Sequence, residues 1–225
     1  MTYKYDLVLF DLDGTVLDTV DDVRDSMAYA LKEHGYPERT RDEIRSFVGN
    51  GVKKLVSRSM PEGARDDQQK FDEMYLAYTE YYSLHAAVKT KPFPGIEETL
   101  KLLHEKGIRC GVLSNKDDAT TRQLITHFYG DLFCVVWGKK PEFSRKPKPD
   151  SLFAIAKEQN VPLSRVAYVG DSEVDIQLSE NAGVDGVIVS WGFRSREQNL
   201  ENGAKYLADT PEELQRILLQ TKEGE

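Results

Sequence analysis

Short apolar runs alternate with helical patterns along most of this chain, and the alternation limits the folds that it can adopt. The predicted strands are Tyr5–Phe10, Ile108–Leu113, Leu132–Trp137, Arg165–Val169 and Gly186–Ser190. Segments with apolar residues at helical spacing separate them, such as the one over 96–103 that is ended by Gly107. This order predicts an α/β fold, with a Rossmann-like parallel sheet core and helices on both faces.

Residues 20–89 interrupt this alternation, because the patterns in them are helical throughout. A tyrosine-rich stripe between Phe71 and Tyr82 fits helix packing better than a ligand site. We therefore predict an α/β core made of residues 1–19 and 90–225, with an inserted all-helical domain over residues 20–89. The segment Lys89–Gly95 is predicted to be the return linker.

The segment after the first strand carries the most specific chemical signal, because Asp11 and Asp13 stand two positions apart. Both carboxylates can reach one point if the chain twists, and Gly14 permits this because glycine tolerates positive φ. Two close carboxylates repel each other unless a cation or a shared proton relieves them, and a divalent metal with oxygen ligands does so. An ordinary turn is the alternative, while a calcium loop is disfavoured because Thr15 stands where a further ligand belongs.

A hydroxyl and an amide follow the second predicted strand, at Ser114 and Asn115. A serine at this place can donate to a phosphate oxygen, or it can cap a helix that begins near Lys116. A stiff basic loop, Arg145–Asp150, precedes a later helix and offers Lys146 or Lys148 as a point charge for phosphate.

A further apolar strand ends in Gly-Asp-Ser, with Asp171 at the entrance of a helix and Asp175 one turn into it. Acidic residues at a helix start also suit the helix dipole, which is the plainer interpretation. Each of these polar segments follows the carboxyl end of a strand, where ligands bind in parallel sheets. The sequence therefore predicts one phosphate-handling site.

These four segments, in this order, resemble the signatures of the haloacid dehalogenase superfamily of phosphotransferases. The resemblance implies that Asp11 is the nucleophile and Asp13 the general acid/base, with Lys146 as the catalytic lysine and Lys148 as the alternative register. It implies phosphate or substrate binding by Thr15, Ser114, Asn115 and Lys146. It also implies a Mg²⁺ cofactor held by Asp11, Asp13, Asp171 and Asp175, and a helical cap over residues 20–89.

The layout is most similar to phosphoglycolate phosphatases, especially around Phe47–Leu55 in the cap. The similarity implies substrate contacts from Gly49, Asn50 and Lys53, and Arg45 is a further candidate for a substrate carboxylate. The alternatives are a hexose-phosphate mutase, or a pyrophosphatase or nucleotidase of the same superfamily. A dehalogenase is disfavoured by the metal-type aspartates, and a phosphoaspartate signalling module is disfavoured by its shorter length.

The composition narrows the partners. The 225 residues carry a net charge of −8, which argues against nucleic acid as a partner. The expected substrate is a small anionic phosphomonoester, and an acidic protein can bind it only where the site itself is positively charged. No apolar stretch is long enough for a bilayer, and the N-terminus lacks a signal-peptide pattern. Cys110 and Cys134 are predicted to be buried, reduced thiols in strands. We expect a cytoplasmic monomer or homodimer that contacts no membrane.

Overall fold

The computed structural model describes residues 3–221 of the chain. Its strands are β1 (Leu7–Phe10), β2 (Leu17–Asp18), β3 (Lys91–Pro92), β4 (Arg109–Asp117), β5 (Val135–Lys139), β6 (Val166–Gly170), β7 (Asp185–Val189) and β8 (Tyr206–Ala208). Its helices are α1 (Val20–Glu33), α2 (Arg41–Phe47), α3 (Val52–Ser59), α4 (Glu62–Arg65), α5 (Gln68–His85), α6 (Ile96–Glu105), α7 (Asp118–Tyr129), α8 (Asp150–Glu158), α9 (Glu173–Ala182), α10 (Arg196–Glu201) and α11 (Pro211–Leu218). A 3₁₀ turn at Leu163–Arg165 precedes β6.

Six strands form one sheet in the order β5-β4-β1-β6-β7-β8, and all neighbouring strands are parallel. When these strands are numbered along the chain, the order is 3-2-1-4-5-6, which is that of the doubly wound nucleotide-binding fold. Right-handed crossovers that run outwards from a central strand in both directions place helices on both faces. The predicted α/β class with a Rossmann-like parallel sheet is confirmed.

The central strand β1 consists of Leu7, Val8, Leu9 and Phe10, all fully buried. A continuous apolar run of this kind is typical of a parallel strand that is covered on both faces. The side chains of Leu7 and Leu9 pack into a core cluster with Tyr168 of β6. Burial of each such side chain stabilises the fold by roughly 1.5–3 kcal/mol.

The register of the sheet brings the predicted polar segments to one edge. Phe10, the last residue of β1, pairs with Val112 of β4 and with Val169 of β6. Asp11 is the next residue, and it therefore lies level with Leu113 of β4 and with Gly170, the last residue of β6. The strand order also reverses at β1, and such a switch point is where doubly wound sheets bind ligands.

Three details of the sheet differ from the predictions. β4 was predicted to end at Leu113, but it continues to Asp117 after an irregularity, so that its last residues pair with the end of β5. β8 was not predicted, because three residues are too few to give a periodic signal. β5 begins at Val135, so Cys134 lies before the strand and is exposed, contrary to the predicted buried thiol, whereas Cys110 is buried.

The chain divides into two compact units by its own contacts. One unit contains the described residues up to Leu17 and those from Pro92 onward, and the other is Asp18–Lys91. The second unit contains the helices α1–α5. The short strands β2 and β3, in which the chain passes between the units, form a two-stranded sheet. The role of residues 20–89 as a cap stays a prediction.

The helical unit is closed by one buried aspartate. The carboxylate of Asp22, on α1, accepts hydrogen bonds from the backbone N–H groups of Val88, Lys89 and Thr90 at 2.7–3.0 Å. These three residues follow α5, so the carboxylate joins the first helix of the unit to its last segment.

Nowhere in residues 3–221 does a helix have the length and apolar character needed to cross a membrane.

Candidate active site

Asp11 is the first residue after β1 and is held at the carboxyl edge of the sheet. Its backbone N–H donates to the carbonyl oxygen of Val169 at 2.8 Å, and its Oδ1 accepts a hydrogen bond from the N–H of Leu12 at 2.7 Å. Its other carboxylate oxygen, Oδ2, accepts no hydrogen bond from the described residues. Asp11 therefore has one oxygen that the protein fixes and one that is available to a ligand.

Gly14 forms the turn that the sequence required between the two aspartates. Its φ is 81°, in the left-handed region that glycine adopts without strain. A Cβ at this position would lie 2.4 Å from Oδ2 of Asp171. The turn therefore needs glycine both for its backbone angle and for its close approach to Asp171.

Lys146 lies beside Asp11, as the family register implies. Its Nζ is 3.0 Å from Oδ1 of Asp11, 2.8 Å from Oδ1 of Asp175 and 2.7 Å from the hydroxyl oxygen of Tyr168. Burial alone would lower the pKa of Lys146, but the two carboxylates outweigh burial and raise it. Lys148 is exposed, so the structure places Lys146 and not Lys148 beside Asp11.

Asn115 fixes the loop that carries this lysine. Its Oδ1 accepts a hydrogen bond from the backbone N–H of Lys146 at 2.9 Å, and its Nδ2 donates to the carbonyl oxygen of the same residue at 3.1 Å. A side-chain amide that satisfies both backbone groups of one residue determines where that residue lies. The end of β4 therefore positions the loop around Lys146.

Ser114 does not cap a helix. The helix α7 begins at Asp118, and its N-cap is Asp117, whose carboxylate accepts a hydrogen bond from the N–H of Thr120 at 3.1 Å. Ser114 is buried within β4, and its Oγ accepts a hydrogen bond from the N–H of Lys116 at 3.3 Å. The capping alternative is therefore wrong, because the strand continues past the serine.

Asp171 directly follows β6, and its side chain packs closely against Gly14 and Gly192. Its Oδ2 accepts a hydrogen bond from the backbone N–H of Phe193 at 2.6 Å, while Oδ1 accepts none within the described part of the chain. A Cβ on Gly192 would lie 2.3 Å from the Cβ of Asp171, so the chain passes very close to this side chain. Burial, followed by the charges of Asp175 and Asp11, raises the pKa of Asp171 well above its ordinary value.

Asp175 is fully buried in the first turn of α9, and hydrogen bonds surround its carboxylate. Its Oδ1 accepts hydrogen bonds from the ammonium group of Lys146 at 2.8 Å and from the hydroxyl of Tyr168 at 3.2 Å. Oδ2 accepts from the N–H and the hydroxyl of Ser172 at 3.2 and 2.7 Å, and from the N–H of Asp171 at 3.2 Å. A carboxylate has about four lone-pair sites, so this arrangement favours Asp175 as a support for Lys146 over a direct metal ligand.

The acidic cluster suits a divalent cation. Asp11, Asp171 and Asp175 each bring a carboxylate oxygen within 4.8 Å of the others. Burial raises the pKa of Asp11 to about 6; Lys146 opposes this rise, and the nearby Asp175 and Asp13 add to it. A hard cation with oxygen ligands relieves such repulsion, and the carboxylates of Asp11 and Asp171 supply oxygens of that kind. The residues present therefore fit Mg²⁺.

The remaining predicted substrate contacts differ in burial, because Thr15 is buried whereas Lys53 in the helical unit is exposed. Thr15 is fully buried, its Oγ1 has no hydrogen-bond partner among the described residues, and its carbonyl oxygen accepts from the indole N–H of Trp191 at 3.1 Å. Asn50 accepts a hydrogen bond from Arg58 at 2.9 Å, and Lys53 is exposed at the start of α3. The substrate-contact roles of Thr15, Gly49, Asn50, Lys53 and Arg45 stay predictions.

The sequence analysis missed Lys116, whose Nζ lies 2.8 and 2.9 Å from the two carboxylate oxygens of Asp13. The side chains are only 9% and 13% exposed, so the pair is largely shielded from solvent. Lys116 stands two positions after the predicted phosphate-binding Ser114, which places it close to the site, but no local pattern specifies its contact with Asp13. The Tyr168 hydroxyl and the Phe193 N–H were also missed, and neither carries a sequence signal.

Known proteins are similar to this chain in sequence and in fold. Residues 8–189 match the model of the haloacid dehalogenase-like hydrolase family. A phosphoglycolate phosphatase from Pseudomonas savastanoi pv. phaseolicola is 32% identical to it, over 90% of this chain and 76% of that protein. A phosphoglycolate phosphatase from Cereibacter sphaeroides is 35% identical, over 83% of this chain and 86% of that protein. A solved structure from Lactobacillus delbrueckii subsp. bulgaricus, provisionally named a phosphoglycolate phosphatase, superposes with a TM-score of 0.90 at 33% identity, covering 97% of this chain and 99% of that one.

The family match extends from within β1 to the end of β7. It therefore includes each of the polar segments described above, from Asp11 to Asp175, together with the helical insertion. The family predicted from the four segments is confirmed. The chain belongs to the haloacid dehalogenase-like hydrolases.

Proposed function

We propose that this protein is a Mg²⁺-dependent phosphatase that hydrolyses a small anionic phosphomonoester, phosphoglycolate or a close analogue, through an aspartyl phosphate. The predicted class, a phosphoric monoester hydrolase, is confirmed by the family and by the similarity to phosphoglycolate phosphatases. The arrangement of Asp11 is the observation that carries the mechanism. Its Oδ1 is held by Leu12 and Lys146, and its Oδ2 is available for attack.

The reaction has two displacements at phosphorus. In the first, Oδ2 of Asp11 bonds to phosphorus while the bond to the ester oxygen breaks, and Asp13 gives its proton to that oxygen. In the second, a water oxygen bonds to phosphorus, Asp13 takes the proton of the water, and the bond to Asp11 breaks. Covalent catalysis thus divides one difficult step into two, and the acid/base contributes roughly 10²–10⁴-fold.

An anionic substrate requires local positive charge, because the chain carries a net charge of −8. We assign the ammonium group of Lys146, the hydroxyl of Ser114 and the backbone N–H of Asn115 to the phosphate oxygens. Asp11, Asp171 and the backbone carbonyl of Asp13 would hold the metal, with Asp175 supporting Lys146. When bound, Mg²⁺ offsets the repulsion between the carboxylate nucleophile and the phosphate.

The helical unit is proposed to act as a cap that selects the ester. Gly49 and Gly51 have φ values of 115° and 84°, backbone conformations that glycine adopts without strain and that shape the loop before α3. Asn50, Lys53 and Arg45 are the proposed side-chain contacts. We also propose a cytoplasmic protein that works as a monomer or homodimer, and two free thiols are in keeping with a reducing compartment.

A substrate panel tests this function. Phosphate release is measured for phosphoglycolate, pyrophosphate, nucleotides and hexose phosphates, each with Mg²⁺ and with EDTA. We expect the highest kcat/KM for phosphoglycolate, loss of activity in EDTA and recovery on addition of Mg²⁺. Isomerisation of a hexose phosphate with little phosphate release would contradict the proposal and favour a mutase.

A further inference from the structure

We propose that Lys116 is a positioning residue that sets the orientation of Asp13 during catalysis; this inference rests on the proposed function. Lys116 comes from β4, whereas Asp13 is on the turn after β1, so the contact joins distant parts of the chain. One ammonium group contacts both carboxylate oxygens, at 2.8 and 2.9 Å. The two buried or nearly buried lysines of the site thus serve different aspartates, with Lys146 at Asp11 and Lys116 at Asp13.

The fold builds a support for Lys116. Beyond Leu113 the β4 strand leaves the regular register, and pairing resumes only at Asp117 with Lys139. A Cβ on Gly138 would lie 2.7 Å from the carbonyl oxygen of Lys116, so only glycine allows β5 to approach this segment. The N–H of Gly138 donates to Oδ1 of Asp118 at 2.9 Å and fastens the segment to β5.

The proposed chemistry needs such a support. An acid/base must remain within about 2.6–3.2 Å of the atom that it protonates, yet an aspartate side chain has three staggered χ1 positions. When one oxygen of Asp13 carries the proton for the ester oxygen, the ammonium group can keep its hydrogen bond to the other oxygen. Lys116 thereby selects the rotamer of Asp13 in both displacements without touching the reacting atoms.

The leaving alcohol provides the test, because only a poor leaving group needs the proton of Asp13. We compare kcat/KM, which reports the first displacement, for phosphoglycolate and for 4-nitrophenyl phosphate, whose phenolate leaves without protonation. For Lys116→Met we expect a loss on the order of tenfold or more with phosphoglycolate and little change with 4-nitrophenyl phosphate. Lys116→Arg, which keeps the charge and the donors, should recover most of the loss.

A double-mutant cycle shows whether Lys116 acts through Asp13. If it does, Lys116→Met should add little to the loss already caused by Asp13→Ala, because neighbours that act as one unit are not additive. Circular dichroism and thermal unfolding establish that each variant is folded, and Lys101→Met, which removes an exposed ion pair with Glu97, is the matched control.

The outcomes separate this inference from the proposed function. Equal losses with both substrates, or additive losses in the double variant, would overturn the role of Lys116 while the wild-type protein remains an active phosphatase. A wild-type protein that releases no phosphate from any ester of the panel would instead overturn the proposed function, and the role of Lys116 with it.

Discussion

The ammonium group of Lys146 lies 2.8 Å from Oδ1 of Asp175, and both side chains are almost completely buried. The same ammonium group reaches Asp11 at 3.0 Å, so one cation separates two carboxylates. The removal of one partner from a buried ion pair leaves the other charge uncompensated in a medium of low polarity. Lys146 should therefore contribute to the stability of the site in addition to its proposed role in phosphate binding.

Lys146→Met should lower the free energy of unfolding by roughly 3–5 kcal/mol, because it leaves Asp11 and Asp175 facing each other without a cation. Urea unfolding in EDTA measures this change without interference from metal. Lys148→Met is the matched control, since that lysine is exposed and its loss should cost less than about 0.5 kcal/mol. Equal changes for the two variants would show that the buried contact does not stabilise the fold.

Asp11→Asn should abolish phosphate release and leave the fold intact. The amide is nearly the same size as the carboxylate, but it cannot displace an alcohol from phosphorus. Phosphate release and circular dichroism are measured on the same sample. Turnover close to that of the wild-type protein would refute Asp11 as the nucleophile.

Asp13→Ala should slow the chemical step far more than it weakens metal binding. The proposed metal contact of this residue is its backbone carbonyl, which the substitution keeps, whereas its carboxyl group is the proposed acid/base. Single-turnover kinetics and a Mg²⁺ titration by calorimetry separate the two effects. Activity that is unchanged without the carboxyl group would exclude the acid/base role.

Gly192→Ala should weaken Mg²⁺ binding by about tenfold or more, because the new Cβ would displace a proposed metal ligand that the protein holds in place. That Cβ would lie 2.3 Å from the Cβ of Asp171. The titration of each variant with Mg²⁺ measures the change. Gly63→Ala is the control, since a Cβ there meets no atom within 4 Å. An affinity like that of the wild-type protein in Gly192→Ala would show that this close packing does not position Asp171.

Stabilisation by Mg²⁺ should increase as the pH rises through about 6. Burial raises the pKa of Asp11 to about 6 and raises that of Asp171 as well. Protons therefore remain on these carboxyls at low pH and compete with the metal, whereas at higher pH the carboxylates are ready to bind it. The difference in Tm between Mg²⁺ and EDTA should be larger at about pH 7.5 than at about pH 5. A difference that is independent of pH would contradict metal binding by these two groups.

The sequence predicted the family, the fold class and the order of the polar segments along the chain. These succeed because a central parallel strand such as β1 is apolar throughout, and because Asp11 and Asp171 follow directly after β1 and β6. It did not predict β8, a three-residue edge strand whose pairing depends on β7 already being in place. Nor did it predict that β4 continues past Leu113, since polar residues in a strand depend on tertiary contacts.

Contacts within the site were harder to predict than its members. The sequence left Lys146 and Lys148 as alternatives, and burial against Asp11 and Asp175 distinguishes them. The pairing of Lys116 with Asp13 joins residues 103 positions apart, and no local pattern specifies it. The hydrogen bond from the N–H of Phe193 to Asp171 could not be predicted from the sequence either, because every residue except proline carries a backbone donor.

Trapping of the covalent intermediate tests the central claim most directly. Wild-type protein is mixed with Mg²⁺ and phosphoglycolate, quenched during turnover and treated with borohydride, which reduces an acyl phosphate to an alcohol. Peptide mass spectrometry should then find homoserine at position 11, and only when substrate was present. Sustained phosphate release with an unmodified aspartate at position 11, or with the modification at another carboxylate, would contradict the account.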